Sequence, residues 1–181
     1  NEYIESVWWL LSQLYEKNML YKGYTIQPYS PAAGTGLSSH ELNLPGTYQD
    51  VKDTSCVAMF RAIADDKLKA LDTNLFKLAE KGSLHFIAWT TTPWTLPSNT
   101  ALTVGEKIEY VIVDTFNPYS AEAQQVILAE SLVSKYFKPE GLEAEMNFSS
   151  SDKLLPYRVL SKYAGSDLVG IRYEQLLPYT L

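Results

Sequence analysis

A single cysteine, Cys56, stands in 181 residues. One thiol excludes an internal disulfide and fits a reducing compartment, where a plain buried thiol is the expectation. Basic residues are also in short supply: 15 Lys and Arg against 21 Asp and Glu leave a net charge of −6. That balance argues against a broad phosphate-binding surface. Histidine occurs twice, at His40 and His85, and neither sits in a Ser/His/Asp or metal-ligand pattern. No apolar run approaches the ~20 residues of a membrane helix, and no basic segment leads into an apolar core as in a signal peptide. The expectation is a cytoplasmic chain without internal repeats and without a membrane partner.

Apolar residues make up 46% of the chain, enough for one domain of ordinary size, or one domain carrying a piece of a neighbour. The most informative stretch runs from Leu84 to Val104. Leu84 to Thr90, rich in aromatic and β-branched residues, predicts a strand buried on both faces. Pro93 must stop it near Thr92, since proline donates no ladder hydrogen bond and restricts the residue before it. Thr90 and Thr92 then share a face with Leu84, Phe86 and Ala88, and Thr91 shares the other with His85, Ile87 and Trp89. Taken alone, three threonines are explained by β-propensity with satisfied hydroxyls, and His85 by a satisfied core histidine.

Elsewhere, Ile4, Val7, Trp8, Leu11, Leu14 and Tyr15 follow helical spacing and predict a helix over Asn1 to Asn18. Tyr24 to Tyr29 reads as a short strand, followed by a turn-rich loop from Ser30 to Leu42 with Gly34 and Gly36. Strand candidates follow around Tyr48-Gln49 and from Ser55 to Arg61. Asp50 and Asp53 look like a carboxylate pair, but turn and capping roles account for them. Asp65 to Asn74 reads as a polar excursion, and Leu75 to Glu80 as a short helix closed by Gly82. Strands are expected over Glu109 to Phe116 and Gln124 to Ala129, then helical spacing from Ala129 to Phe137 and a polar loop over Asn147 to Asp152. Val159 to Tyr163 reads as a short helix and Leu168 to Tyr173 as a strand. The count gives an α+β fold dominated by short strands.

The ten residues Thr90-Thr91-Thr92-Pro93-Trp94-Thr95-Leu96-Pro97-Ser98-Asn99 resemble the threonine-rich signature of the editing domain, or connective peptide, of the isoleucyl-tRNA synthetases, class I aminoacyl-tRNA synthetases. In the valyl and leucyl relatives the run continues Thr-Thr-Arg-Pro, so Thr92-Pro93-Trp94 favours the isoleucyl group. Tyr3-Ile4-Glu5-Ser6-Val7-Trp8-Trp9 with Leu20-Tyr21-Lys22-Gly23-Tyr24, the run Val51-Lys52-Asp53, and Gly165 to Glu174 carry weaker resemblance over most of the chain. Where some members carry cysteines resembling a metal knuckle, this chain has Ser30 and Ala33, so no metal site is expected.

The resemblance implies a distorted β-barrel with small flanking helices. It implies a lead-in helix from the catalytic core over residues 1–24 and an editing domain over 25–181 that lacks its C-terminal part, because nothing matches the family's second motif, a His-x-Ala-Pro run ending in a substrate-gripping aspartate. The implied function is hydrolysis of valyl-adenylate and of valyl-tRNA(Ile), with the tRNA(Ile) acceptor end and the valyl ester as partners. The parent would be a monomeric, ATP-dependent isoleucine-tRNA ligase, its ATP and Mg bound elsewhere and no cofactor bound in this segment. Thr90, Thr91 and Thr92 would line the ester and adenosine side as catalytic groups, with Trp94, Thr95 and Asn99 binding the substrate. Trp94 can equally be core, and Asn99 can cap the local turn. No strong nucleophile is present, so hydroxyls and backbone N–H groups would position water and polarise the ester. Two other classes fit the same features: a non-catalytic module holding the tRNA acceptor end or a partner surface, and a free-standing deacylase.

Overall fold

A computed structural model describes residues 1–177; residues 178–181 lie outside it. The chain divides into two compact units, Asn1–Lys52 and Asp53–Leu181. The first opens with α1 (Glu2–Glu16), whose side chains are all outside any core. It ends where Asn18 enters the left-handed region at φ 56°. The strand expected over Tyr24 to Tyr29 does not form. Tyr24 and Ile26 stand fully exposed, and the first ladder is the two-residue pair β1 (Tyr29–Ser30) with β2 (Thr35–Gly36), turned by Gly34 at φ +68°. Helix α2 (Ser39–Leu42) starts on a capping box in which Ser38 and Glu41 satisfy each other's backbone N–H groups. His40 lies within that short helix, and Tyr48-Gln49 is not a strand.

The second unit is a five-stranded sheet in the order β3-β4-β6-β5-β7, formed by β3 (Cys56–Arg61), β4 (Leu84–Thr90), β5 (Glu109–Phe116), β6 (Ala123–Ala129) and β7 (Arg158–Ala164). All neighbours are antiparallel except β4 and β6, which run parallel over Leu84 to Phe86 against Gln125 to Ile127. The sheet is open. β3 and β7 stand at opposite edges, so the expected barrel does not close among the described residues.

Strand periodicity sends two side-chain sets to opposite faces. On the front, Phe60, Leu84, Phe86, Ile112 and Ile127 pack with Leu68, Leu75, Ala79 and Leu168 from the covering helices. On the back, Val111, Val113, Val126 and Leu128 meet Phe137 and Tyr157, whose rings stack at 4.8 Å.

One front helix stands where the polar excursion was expected, and the helix expected over Leu75 to Glu80 forms, starting two residues earlier. Asp65 caps α3 (Asp66–Leu71) and Asp72 caps α4 (Thr73–Glu80), each accepting backbone N–H bonds of the first turn. The charged run is the solvated side of α3, whose Leu68 is wholly buried. Asp72 also accepts a hydrogen bond from the Tyr163 hydroxyl at 2.6 Å, which ties α4 to β7 and holds its carboxyl below the usual range. Gly82, at φ +74°, returns the chain to β4.

Near the end of the chain the expected order inverts. Arg158 to Ala164 is a strand because Val159, Ser161 and Tyr163 alternate inward while β5 supplies a partner; Gly165–Leu168 is the short helix α6. The segment after it is not a strand: it lies beside the end of β3 through the bridge between Ala62 and Tyr173 and the backbone bond from Glu174 to Arg61. Tertiary pairing overrode local spacing at these positions.

His85 is half-buried, with Nδ1 3.1 Å from the Ser83 carbonyl oxygen, an acceptor that places the proton on Nδ1. Burial pushes its pKa below the ordinary value of 6.5. The unfolded chain therefore binds the proton first as pH falls, so this contribution to stability is present above 6.5 and is lost as pH drops towards the folded value. The urea midpoint should fall between pH 7.5 and 5.5, and His85→Gln should flatten that fall.

Candidate functional site

The parallel seam between β4 and β6 is short. Beyond Phe86, β4 keeps its ladder with β3 alone, Thr90 lying opposite Cys56. The C-terminal half of β4 thus diverges from β6, and Trp89 is 60% exposed rather than buried as expected of a two-faced core strand. Divergent carboxyl ends of neighbouring parallel strands make a crevice, the place where open sheets commonly build sites.

At that end the backbone leaves the ladder at Thr90, two residues before the expected stop. Pro93 starts a tight helical turn over Pro93–Ser98. Leu96, Leu102 and Val104 anchor this turn and the segment after it on the front core. With the turn fixed, three hydroxyls line up. Thr90 Oγ1 lies 3.2 Å from Thr92 Oγ1, and Thr92 Oγ1 lies 3.5 Å from Thr95 Oγ1. Thr92 N–H donates to Thr90 Oγ1 at 3.0 Å, and the Thr95 hydroxyl donates to the Thr92 carbonyl oxygen at 2.8 Å.

Counting hydrogens shows what the cluster can offer. Of three hydroxyl hydrogens, that of Thr95 is committed to the Thr92 carbonyl, and one more is used between Thr90 and Thr92. The third spans only the long 3.5 Å contact between Thr92 and Thr95 and can turn from it to a bound molecule. Lone pairs on Thr92 and Thr95 are left to accept from water. A group of this kind can hold a water molecule and donate to a carbonyl oxygen, but it contains no base strong enough to make a hydroxyl into a nucleophile.

The sequence-nominated residues separate here. Thr90, Thr92 and Thr95 come together. Thr91 is exposed and makes no side-chain hydrogen bond among the described residues. Trp94 is 70% exposed, so it is not core, and it projects from the turn. Asn99 is committed on both sides: its Nδ2 donates to the Ala101 carbonyl at 3.2 Å, and its Oδ1 accepts from the Tyr173 hydroxyl at 2.7 Å.

Tyr173 is the residue sequence reasoning missed. It packs edge-on against Phe60 at 5.2 Å, is held beside β3 by backbone bonds from Ile63 to Arg172 and from Glu174 to Arg61, and reaches the turn through Asn99. Seventy-four residues separate the pair, and no local pattern announces it. Among the described residues Asp53 accepts from the N–H of Thr54 alone, as a turn residue does. Among the described residues no group of three or more His, Cys, Asp or Glu side chains is placed to hold a metal ion, and no helix is long and apolar enough to cross a membrane.

Residues 1–159 match the family described as tRNA synthetases class I (I, L, M and V), and the chain belongs to that family. Within it, the chain is homologous to a portion of isoleucine-tRNA ligases. It is 57% identical over 180 residues to the isoleucine-tRNA ligase of Cytophaga hutchinsonii, 55% over 181 residues to that of Porphyromonas gingivalis and 39% over 180 residues to that of Clostridium kluyveri. Each alignment takes in 99% of this chain but only 15%, 15% and 13% of the respective relative. The chain therefore spans about 15% of the length of the curated relatives it matches. The signature's preference for the isoleucyl group over the valyl and leucyl ones agrees with these relatives.

Proposed function

We propose that this chain is the segment of an isoleucine-tRNA ligase that hydrolyses valine wrongly activated or wrongly attached to tRNA(Ile), with residues 1–24 as lead-in and 25–181 as editing domain. The observation that carries the reading is the hydroxyl chain of Thr90, Thr92 and Thr95 at the divergent end of β4. Such an enzyme has a physical need for a second site, because a pocket that accepts isoleucine rejects valine by one methylene only; this synthetase is the standing example of that limit. The hydroxyl hydrogen released from the long Thr92–Thr95 contact would polarise the ester carbonyl, lone pairs on Thr92 and Thr95 would hold the attacking water, and exposed Trp94 would form the wall that meets the amino-acid side chain. Asn99, bonded to Tyr173 and Ala101, fixes the turn rather than reaching for substrate.

In this reading the segment binds the acceptor end of tRNA(Ile) and the valyl ester or adenylate and needs no cofactor, while ATP and Mg act in the remainder of a monomeric cytoplasmic ligase. The test is hydrolysis of valyl-tRNA(Ile) and isoleucyl-tRNA(Ile) by the ligase that carries this chain. Clear preference for the valyl ester is expected. Equal cleavage of both would remove the size-selective pocket from this segment.

A further inference from the structure

On the back of the sheet, reaching round the start of β3 to Cys56, lies a cavity of about 420 Å³. Val57, Met59, Ile87, Val126 and Phe137 form much of its wall, and no charged side chain lines it. Its volume falls within the usual range for small-molecule sites. Among the described residues three polar ones are buried, Thr115, Gln124 and Gln125. Two are fully occupied. The Thr115 hydroxyl donates to the Pro156 carbonyl at 2.9 Å, and the Gln125 amide donates to Asp114 and accepts from Ser83, each at 2.6 Å.

Gln124 is different. It is only 7% exposed and lines the cavity, yet its side-chain amide has no hydrogen-bond partner among the described residues. No unpaired side-chain nitrogen or oxygen is sealed from solvent, so this amide opens into the cavity itself. A buried carboxamide facing an apolar space is costly unless something pairs with it.

We propose that this cavity binds a neutral, planar aromatic molecule carrying an amide-like edge, a donor and an acceptor side by side. The carboxamide of Gln124 offers the complementary pair, an N–H donor and a C=O acceptor, as it does when glutamine reads such an edge on a nucleobase. A purely apolar guest would strip water from Gln124 and return nothing. An anion would find no cation, and a cation no carboxylate. The flat body would lie against Phe137 and the aliphatic wall, and Cys56, which also lines the cavity, provides a built-in reporter.

Benzamide is the probe, titrated calorimetrically into the 181-residue chain while alkylation of Cys56 by iodoacetamide is followed in parallel. Benzamide should bind saturably and protect Cys56. Toluene, which lacks the amide, benzoate, which is charged, and N,N-dimethylbenzamide, which lacks the donor, should each bind about tenfold more weakly or less. Gln124→Leu should bring benzamide down to the level of toluene and leave toluene unchanged. The probe series on the unaltered chain decides the matter even if that variant folds poorly. Equal binding of benzamide and toluene, undiminished benzamide binding by Gln124→Leu, or no Cys56 protection up to the solubility limit would overturn the assignment; the last is also the result expected if the cavity seats a polypeptide segment.

Discussion

Replacing Thr92 with alanine is expected to slow hydrolysis of valyl-tRNA(Ile) on the order of a hundredfold or more, while isoleucine-dependent pyrophosphate exchange by the same ligase is unchanged. Thr92 is the middle of the hydroxyl chain, 3.2 Å from Thr90 and 3.5 Å from Thr95. Its loss removes one group outright and leaves Thr90 and Thr95 without their common neighbour. Where a preorganised donor faces developing charge, removing it costs on the order of a hundred- to a thousandfold in rate. The fold should tolerate the change, since Thr92 is exposed and its backbone N–H and C=O bonds do not depend on its side chain. Thr91→Ala is the matched control. Thr91 lies in the same run but outside the chain of hydroxyls, so its effect should be much smaller, and equal losses at both positions would remove the distinction drawn between them. Loss of both deacylation and activation in Thr92→Ala would indicate misfolding instead.

Gly165→Ala should be the most destabilising single-methyl addition in the second unit. A Cβ at this buried position would stand 2.0 Å from the carbonyl oxygen of Gly105 and 2.8 Å from its carbon. Those are backbone atoms, so no rotamer change relieves the clash. The close approach is itself functional in the fold: Gly165 N–H donates to the Ile108 carbonyl, and the contact lets β7 turn into α6 directly against the loop that precedes β5. Overpacking a rigid site costs about 1–3 kcal/mol and sometimes more, and the lack of a movable neighbour places this case at the upper end. The urea midpoint of the variant measures it. A shift within error of zero would mean that the Gly105 loop moves freely. By comparison, Gly34→Ala meets nothing within 4 Å and carries only the strain of its positive φ.

Much of the fold was legible where one local rule dominates. β4, β5 and β6 follow from β-branched runs bounded by turn residues, and α1 from its apolar spacing. Misreadings fell where a distant partner decides. Leu68 looked like one apolar residue in a charged run until the front core claimed it; Val159 and Lys162 looked helical until β5 supplied a ladder. The open sheet in place of a barrel is of the same kind, since nothing local in β3 or β7 states which strand lies beside it.

The candidate site shows the same division. Proline punctuation and strand alternation put Thr90 and Thr92 on one side and Thr91 on the other, and the structure keeps that separation. The bond from Tyr173 to Asn99 and the orphaned amide of Gln124 were invisible, because each depends on residues far away along the chain.

The shortness of the seam between β4 and β6 also bears on how the second unit comes together. β5 and β6 are joined by a local turn and pair over seven positions, whereas β4 meets β6 over three and is fastened there by a Ser83–Gln125 bond spanning 42 residues. Closing a long loop has to precede any return from such contacts, so the β5–β6 hairpin is the natural nucleus and the β3–β4 half arrives as a second piece. The seam is then the last joint to form and the first to part. The threonine turn is mounted on the β3–β4 half, so whatever parts the seam carries the hydroxyl chain away from β6 as one piece.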